Sequence, residues 1–366
     1  MTNITGVTLV PCSNKTSMKN REFILALMLL AAGNVFALTA KERADQIYAG
    51  HPNIVRDLQY KTVAGFDDLE QLSMDLILPE KNLYAEGAPV VLFIHGGGWS
   101  GGERYVLDRT TFKSYTDVGI AVACISYRLA KNGNSALDCL IDCKDAARFL
   151  VKHAETYGLD PNRFATRGHS AGGHLALSVA LVPDQAALLR GDPSLAGFTP
   201  RFVSVVAEAP LTTLFNPEQA DSLGTITTKP QALKKILGGT SAKSPPPEDL
   251  INNNTRAAFI ASLQSAAPIQ QVARVLSPEF WLQSSSPAIL LVHGSADPLI
   301  SVRGARYFKR LADERGAKVV YIEVKNGNHS FRSPDAQTTT SHSLKELHQG
   351  NREFTIKNMG RVRHPY

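Results

Sequence analysis

The chain has 366 residues but only 4 cysteines, and just three of them, Cys124, Cys139 and Cys143, lie beyond an N-terminal leader that holds Cys12. An odd count of that size allows at most one bridge, which excludes a disulfide scaffold. Cys139 and Cys143 are four apart in a stretch of helical spacing and share one face, where they read as small buried hydrophobes rather than a bridge or a metal pair. Charge is also scarce. The formal net charge is +6, but residues 342–366 carry five basic against two acidic side chains and residues 1–37 three against one, so the body is close to neutral. Without a basic body or an aromatic-basic module, nucleic acid is not an expected partner. The phosphate-cradling pattern G-x-x-x-x-G-K-[ST] is missing too, and the glycine clusters lack a nucleotide-binding context.

The N-terminal apolar run, Phe23 to Ala32, is cut off by Gly33-Asn34 well short of the roughly 20 residues a membrane span needs. Lys19 and Arg21 precede it, and Val35-Phe36-Ala37 follows with small residues spaced for a signal peptidase. Residues 1–37 are therefore expected to be a leader whose signal peptide starts at Met18 and is cut after Ala37, giving a secreted or periplasmic protein with no stable membrane span. A permanent anchor is the second reading.

Hydrophobic residues make up 43% of the chain and charged residues 20%, the balance of a globular protein with one large domain or two ordinary ones. From about residue 50, short β-branched runs at 74–79, 90–94, 120–127, 163–169, 202–209, 288–294 and 318–324 alternate with amphipathic stretches. That rhythm predicts a mostly parallel sheet with helices on both faces, and chemistry beyond the carboxyl ends of its strands. Residues 211–285 break it, with Pro217, Pro230, Pro245 to Pro247 and Asn252 to Asn254. They are expected to be a cap-like insertion over the active edge of a domain running from 50 to 335, and residues 336–366 a basic C-terminal tail.

The strongest local pattern is Gly168-His169-Ser170-Ala171-Gly172, which fits G-x-S-x-G with a strand before it and a helical run after it. Such a turn holds its serine in a strained conformation above the sheet and aims a helix N-terminus at the reacting carbonyl. A serine hydroxyl is a weak nucleophile without a base, and the base needs an orienting acid. In chain order these are expected after late strands: Asp297 in "LLVHGSADPLIS" and His329 in "VKNGNHSF". The plainer readings are a turn aspartate before Pro298 and a surface-loop histidine; Glu208 is the reserve acid. In "VVLFIHGGGWSGG" the glycines end a strand with backbone free of side chains, and Gly97 and Gly98, with Ala171, are the candidate donors to an oxyanion. His95 reads as a loop-ordering residue, and His169 and His174, which lack metal-ligand spacing, as packing residues; no cofactor or metal is called for.

At these residues the chain resembles the α/β-hydrolase superfamily, and within it exported esterases and lipases that carry "HGGGW" and "GHSAGGH". Among these it is similar to the bifunctional feruloyl and acetyl-xylan esterase-like group, near the hormone-sensitive-lipase-type esterases and kynurenine formamidases. The resemblance covers about residues 70 to 332 and is specific at "HGGGW", "GHSAGGHLA", "HGSADPLI" and "GNHSF". It implies an α/β-hydrolase fold with Ser170 as nucleophile, Asp297 as acid, His329 as base, and Gly97, Gly98 and Ala171 as oxyanion donors. It also implies that Trp99 borders the acyl pocket, although a tryptophan there can equally pack the loop. The expected activity is hydrolysis of carboxylic esters, short acetyl esters first, on a small molecule or a carbohydrate. The alternatives are a formamidase, a peptidase-type amide hydrolase, or a non-catalytic binding protein of the same fold.

Overall fold

The computed structural model describes residues 39–105, 107–184, 189, 191–214, 272–335 and 337–360. Residues 1–37, expected as a leader, and most of 211–285, expected as a cap-like insertion, lie outside the described residues. Among the described residues eight strands form one sheet: β1 (Ile54–Gln59), β2 (Ser73–Ile77), β3 (Ala88–Ile94), β4 (Ala121–Ile125), β5 (Leu159–His169), β6 (Phe202–Glu208), β7 (Ala288–Gly294) and β8 (Val319–Val324), in the spatial order β1-β2-β4-β3-β5-β6-β7-β8. The first two pairings, β1 with β2 and β2 with β4, are antiparallel, and the rest are parallel. β3 sits between β4 on one side and β5 on the other. The chain therefore leaves β3 in one direction and returns on its opposite side, which opens a crevice at the carboxyl ends of β3 and β5.

Every residue of β3 and β4 is buried, as strands covered on both faces must be. One face holds Val90, Leu92 and Ile94 in a cluster with α3 (Ala136–Lys152), α4 (Ala171–Leu181) and α5 (Val302–Glu314). The other holds Val91 and Phe93 with α1 (Ala40–Tyr48), α2 (Arg109–Thr116) and the end of α6 (Leu344–Met359). Helix α3 starts at a capping box in which the Asp138 carboxylate accepts from the Ser135 amide at 2.7 Å. It buries charges as well as apolar groups. Asp142 takes two guanidinium bonds from Arg128 at 2.8 Å and an ammonium from Lys61 at 2.5 Å, and Lys144 donates to the Val182 carbonyl at 2.6 Å and to Asp184 at 2.8 Å. Each of these buried ions is thus paired, the condition under which burial of charge is tolerated.

Two elements differ from expectation. β1 is an edge strand kinked by a bulge between Val55 and Leu58, with Asp57 at φ 51°; the charged pair Arg56-Asp57 hides its alternation. Residues 336–366, expected as a basic tail, are corrected: 344–359 form α6, a helix of the domain itself. Ser343 and Glu346 cap it reciprocally, and it buries Leu347, Asn351, Thr355 and Met359 at four-residue intervals. Lys345 and Lys357 are exposed and Arg352 reaches across to the Ser114 carbonyl of α2 at 3.1 Å, which leaves the buried stripe to cover β6 and β7.

Candidate active site

Ser170 follows the last residue of β5 and precedes the first of α4, at φ 58° and ψ −124°. A side chain with positive φ costs on the order of 1–3 kcal/mol, so the turn must be clamped. The clamp is visible: the Ser170 amide donates to the Glu208 carbonyl at 2.7 Å, and a Cβ added at Gly172 would run into the carbonyl of Ile94. Only a glycine there lets the turn lie against the end of β3.

The Ser170 hydroxyl donates to His329 Nε2 at 2.9 Å, and His329 Nδ1–H donates to Asp297 Oδ2 at 2.7 Å. The second carboxylate oxygen accepts the amides of Leu299 at 2.8 Å and Ile300 at 3.0 Å. The Asp297 side chain is fully buried, which by itself would raise its pKa; hydrogen bonds from His293, His329, Ile300 and Leu299 outweigh that and hold it well below the carboxylate range. His329 rides on a turn in which the Asn328 side chain accepts the amides of Ser330 and Arg332 at 2.9 and 3.1 Å. His169 clamps the same turn by donating from Nε2 to the His329 carbonyl at 2.7 Å.

The glycine loop lies directly over the Ser170 turn: a Cβ added at Gly96 would sit 2.7 Å from the His169 carbonyl and 3.5 Å from Ser170 Cβ. Gly97, Gly98 and Trp99 all have positive φ, at 110°, 59° and 59°. The amides of Gly97, Gly98 and Ala171 have no protein acceptor among the described residues, and both glycines are exposed. His95 stacks on Tyr127 at 4.2 Å and donates from Nδ1 to the Gly96 carbonyl at 2.8 Å, while the Tyr127 hydroxyl donates to the His95 carbonyl at 2.8 Å. Burial pushes the His95 imidazole down to about 4, so it is neutral at pH 7 and orders the loop without adding charge.

Trp99, expected to border the acyl pocket, is spent on packing. Its side chain is buried, its indole N–H donates to His174 Nδ1 at 3.1 Å, and its carbonyl accepts the Ala130 amide at 2.7 Å. His174 in turn donates from Nε2 to the Leu276 carbonyl at 2.8 Å, tying the glycine loop to the segment that enters β7. Glu208, the reserve acid, is engaged elsewhere: Asn351 of α6 donates to one oxygen at 2.7 Å and Arg167 sits 3.4 Å from the other. Cys124, Cys139 and Cys143 are free and buried, and no cluster of potential metal ligands occurs among the described residues. His293, the buried histidine at the end of β7, opens the "HGSADPLI" match, but nothing in its spacing gives it a role of its own beside Asp297.

The profile of the BD-FAE family matches residues 74–311. Among curated proteins, the chain is 26% identical to the esterase LipC of Mycobacterium tuberculosis, over 75% of this chain and 62% of that protein. It spans 62% and 49% of the lengths of the first two curated relatives, both from that organism. Among solved structures, a truncated carbohydrate esterase from gut microbiota superposes with a TM-score of 0.60 at 18% identity, covering 85% of this chain and 98% of that one. Esterase 2 of Thermogutta terrifontis with butyrate bound gives 0.58 at 20% identity, covering 87% and 98%. At these identities the structural likeness establishes the α/β-hydrolase fold.

Proposed function

The chain belongs to the BD-FAE family of bifunctional feruloyl and acetyl-xylan esterases, and from that premise we propose that it hydrolyses carboxylic esters through an acyl-enzyme on Ser170. The observation that carries the reading is the unbroken line of hydrogen bonds from the Ser170 hydroxyl through His329 to Asp297, at 2.9 and 2.7 Å. Asp297 fixes the proton of His329 on Nδ1, which leaves Nε2 free to accept the serine proton as Oγ attacks the ester carbonyl. Negative charge then develops on the carbonyl oxygen, where the unclaimed amides of Gly97, Gly98 and Ala171 stabilise it. The imidazolium returns its proton to the departing alcohol. Water, activated by the same imidazole, attacks the acyl-serine and releases the acid.

For the substrate, a short acyl group on a carbohydrate alcohol is the preferred reading. It is supported by the family and by neighbours described as a carbohydrate esterase and as an esterase with butyrate bound. The leader, with Lys19 and Arg21 before an apolar run, supports export to where polysaccharide is met. The test is hydrolysis of acetyl, butyryl, octanoyl and feruloyl esters and of acetylated xylan, with Ser170→Ala as control and a fluorophosphonate to label the serine. Preference for acetyl groups that extends to acetylated xylan supports the whole reading. A broad short-chain profile without polysaccharide turnover restricts it to a general carboxylesterase, and folded protein that neither labels at Ser170 nor turns over any ester refutes it.

A further inference from the structure

The acid has a second histidine. His293 is the next-to-last residue of β7, fully buried, and its Nε2 lies 3.3 Å from Asp297 Oδ2 and 3.0 Å from the Ile300 carbonyl. Both neighbours are acceptors, so the ring proton sits on Nε2 and is shared between them. Its Nδ1 is buried with no partner among the described residues. An orphaned buried nitrogen is a standing cost that a leucine at the end of a buried strand would avoid, so packing alone gives no reason for a histidine here.

Ile300 closes the circuit. Its amide donates to Asp297 Oδ1 at 3.0 Å while its carbonyl accepts from His293, so the imidazole holds the loop that holds the carboxylate. On Asp297 itself, Oδ1 accepts two amides, and Oδ2 accepts His329 Nδ1–H at 2.7 Å with His293 Nε2, whose N–H also serves the Ile300 carbonyl, 3.3 Å away. Rotation of the carboxyl group would break the three hydrogen bonds and carry Oδ2 away from His293. The acid loop and the base loop also meet at this point. The Ala296 amide donates to the Gly327 carbonyl at 2.9 Å, and a Cβ added at Gly294 would lie 2.5 Å from the Asn328 carbonyl. A shift of Asp297 is therefore passed directly to the turn that carries His329.

We propose that His293 is a positioning residue for Asp297, a second imidazole donor that holds Oδ2 in line with His329 Nδ1. The hydrogen bonds that keep the Asp297 carboxyl ionised include the one from His293, and hydrogen bonds to a charged acceptor are the strong ones. The inference rests on the esterase reading for its activity readout, and a spectroscopic readout makes it independent of that reading. The pair of variants is His293→Leu, which removes the donor, and His293→Gln, whose amide nitrogen reaches about as far as Nε2.

In the full chain, His293→Leu is expected to lower kcat on 4-nitrophenyl acetate by about tenfold, the scale of one hydrogen bond to an ionised group, with KM within about twofold. His293→Gln is expected to recover most of the loss. The low-field proton resonance of the His329–Asp297 hydrogen bond should move in His293→Leu and return toward its wild-type position in His293→Gln. If His293→Leu keeps both kcat and the resonance, or if folded His293→Gln falls as far as His293→Leu, the proposal is overturned. Should His293→Leu fail to fold, His293→Asn replaces it, since its shorter amide stops near the place of Nδ1; equal kcat and resonance in Asn and Gln variants overturn the proposal. Wild-type protein without Ser170-dependent turnover would instead sink the esterase reading, and the resonance alone would then decide the role of His293.

Discussion

Asp297→Asn is the substitution for which the structure specifies most. The amide oxygen would take the place of Oδ1, where the amides of Leu299 and Ile300 require an acceptor at 2.8 and 3.0 Å. The new NH2 group would then occupy the Oδ2 position, facing His329 Nδ1 at 2.7 Å and His293 Nε2 at 3.3 Å. A donor would meet two donors. His329 escapes the clash by moving its proton to Nε2, which turns a lone pair toward the asparagine and aims N–H at Ser170, so the base can no longer accept the serine proton. Loss of the correct tautomer in a Ser-His-Asp site of known mechanism costs about 10⁴ in kcat, and the same arrangement here sets the same expectation, about 5.5 kcal/mol of barrier. The assay is turnover of 4-nitrophenyl acetate together with the rate of fluorophosphonate labelling, both compared with Ser170→Ala. Stability should change much less than activity, because size and the Oδ1 bonds are kept. Glu208→Gln is the counter-test, since both Glu208 oxygens are occupied by Asn351 and Arg167. An Asp297→Asn enzyme within tenfold of wild type, beside an inactive Glu208→Gln, would refute the assignment and move the acid to Glu208.

Gly97→Ala should lose about 10²–10³ in kcat, because a Cβ at φ 110° would run into the Gly101 carbonyl and displace the amides beside Ser170; a KM effect alone would argue against their role. Asn351→Leu removes the donor to Glu208 and leaves that buried carboxylate with Arg167 only, at a cost of about 1–3 kcal/mol by urea unfolding; an unchanged midpoint would mean α6 contributes nothing through this contact. Stability should also fall with acid. Burial lowers both His95 and His174 from 6.5 to about 4, so the unfolded chain binds protons that the folded chain refuses. Their contribution is fully present above pH about 6.5 and is lost as pH falls toward about 4, up to about 3 kcal/mol for each group. Urea titrations at pH 7 and pH 5 read that slope, which His95→Phe should reduce by about one proton; a flat profile would contradict neutral buried imidazoles.

What could be read from the sequence follows from the kind of signal each part leaves. The parallel strands were legible because a strand buried on both faces must be continuously apolar, as β3 is from Ala88 to Ile94. The turn at Ser170 was legible because its crowding admits only glycine at 172, which leaves a fixed pattern in the letters. Helix α6 left no such mark. Its buried stripe is Leu347, Asn351, Thr355 and Met359, and the two middle residues are polar: Asn351 bonds the distant Glu208, and Thr355 bonds back to the Asn351 carbonyl of its own helix at 2.9 Å. Along that stripe a scan for apolar spacing meets only its two ends, Leu347 and Met359, while the half-buried Leu344, Phe354 and Ile356 lie off it and blur the period. Lys144 and Arg148 of α3 mislead in the same way, since both look like solvent-facing charges until Asp184 comes back over them. His293 is the extreme case: within its strand it is one polar letter, and its meaning lies in a carbonyl seven residues on and a carboxylate four residues on. The elements hardest to read are thus those whose polar side chains are satisfied by parts of the chain far away or by the turn of a loop. Around Asp297 and Glu208 those satisfied polar contacts are the ones that fix the geometry on which the chemistry depends.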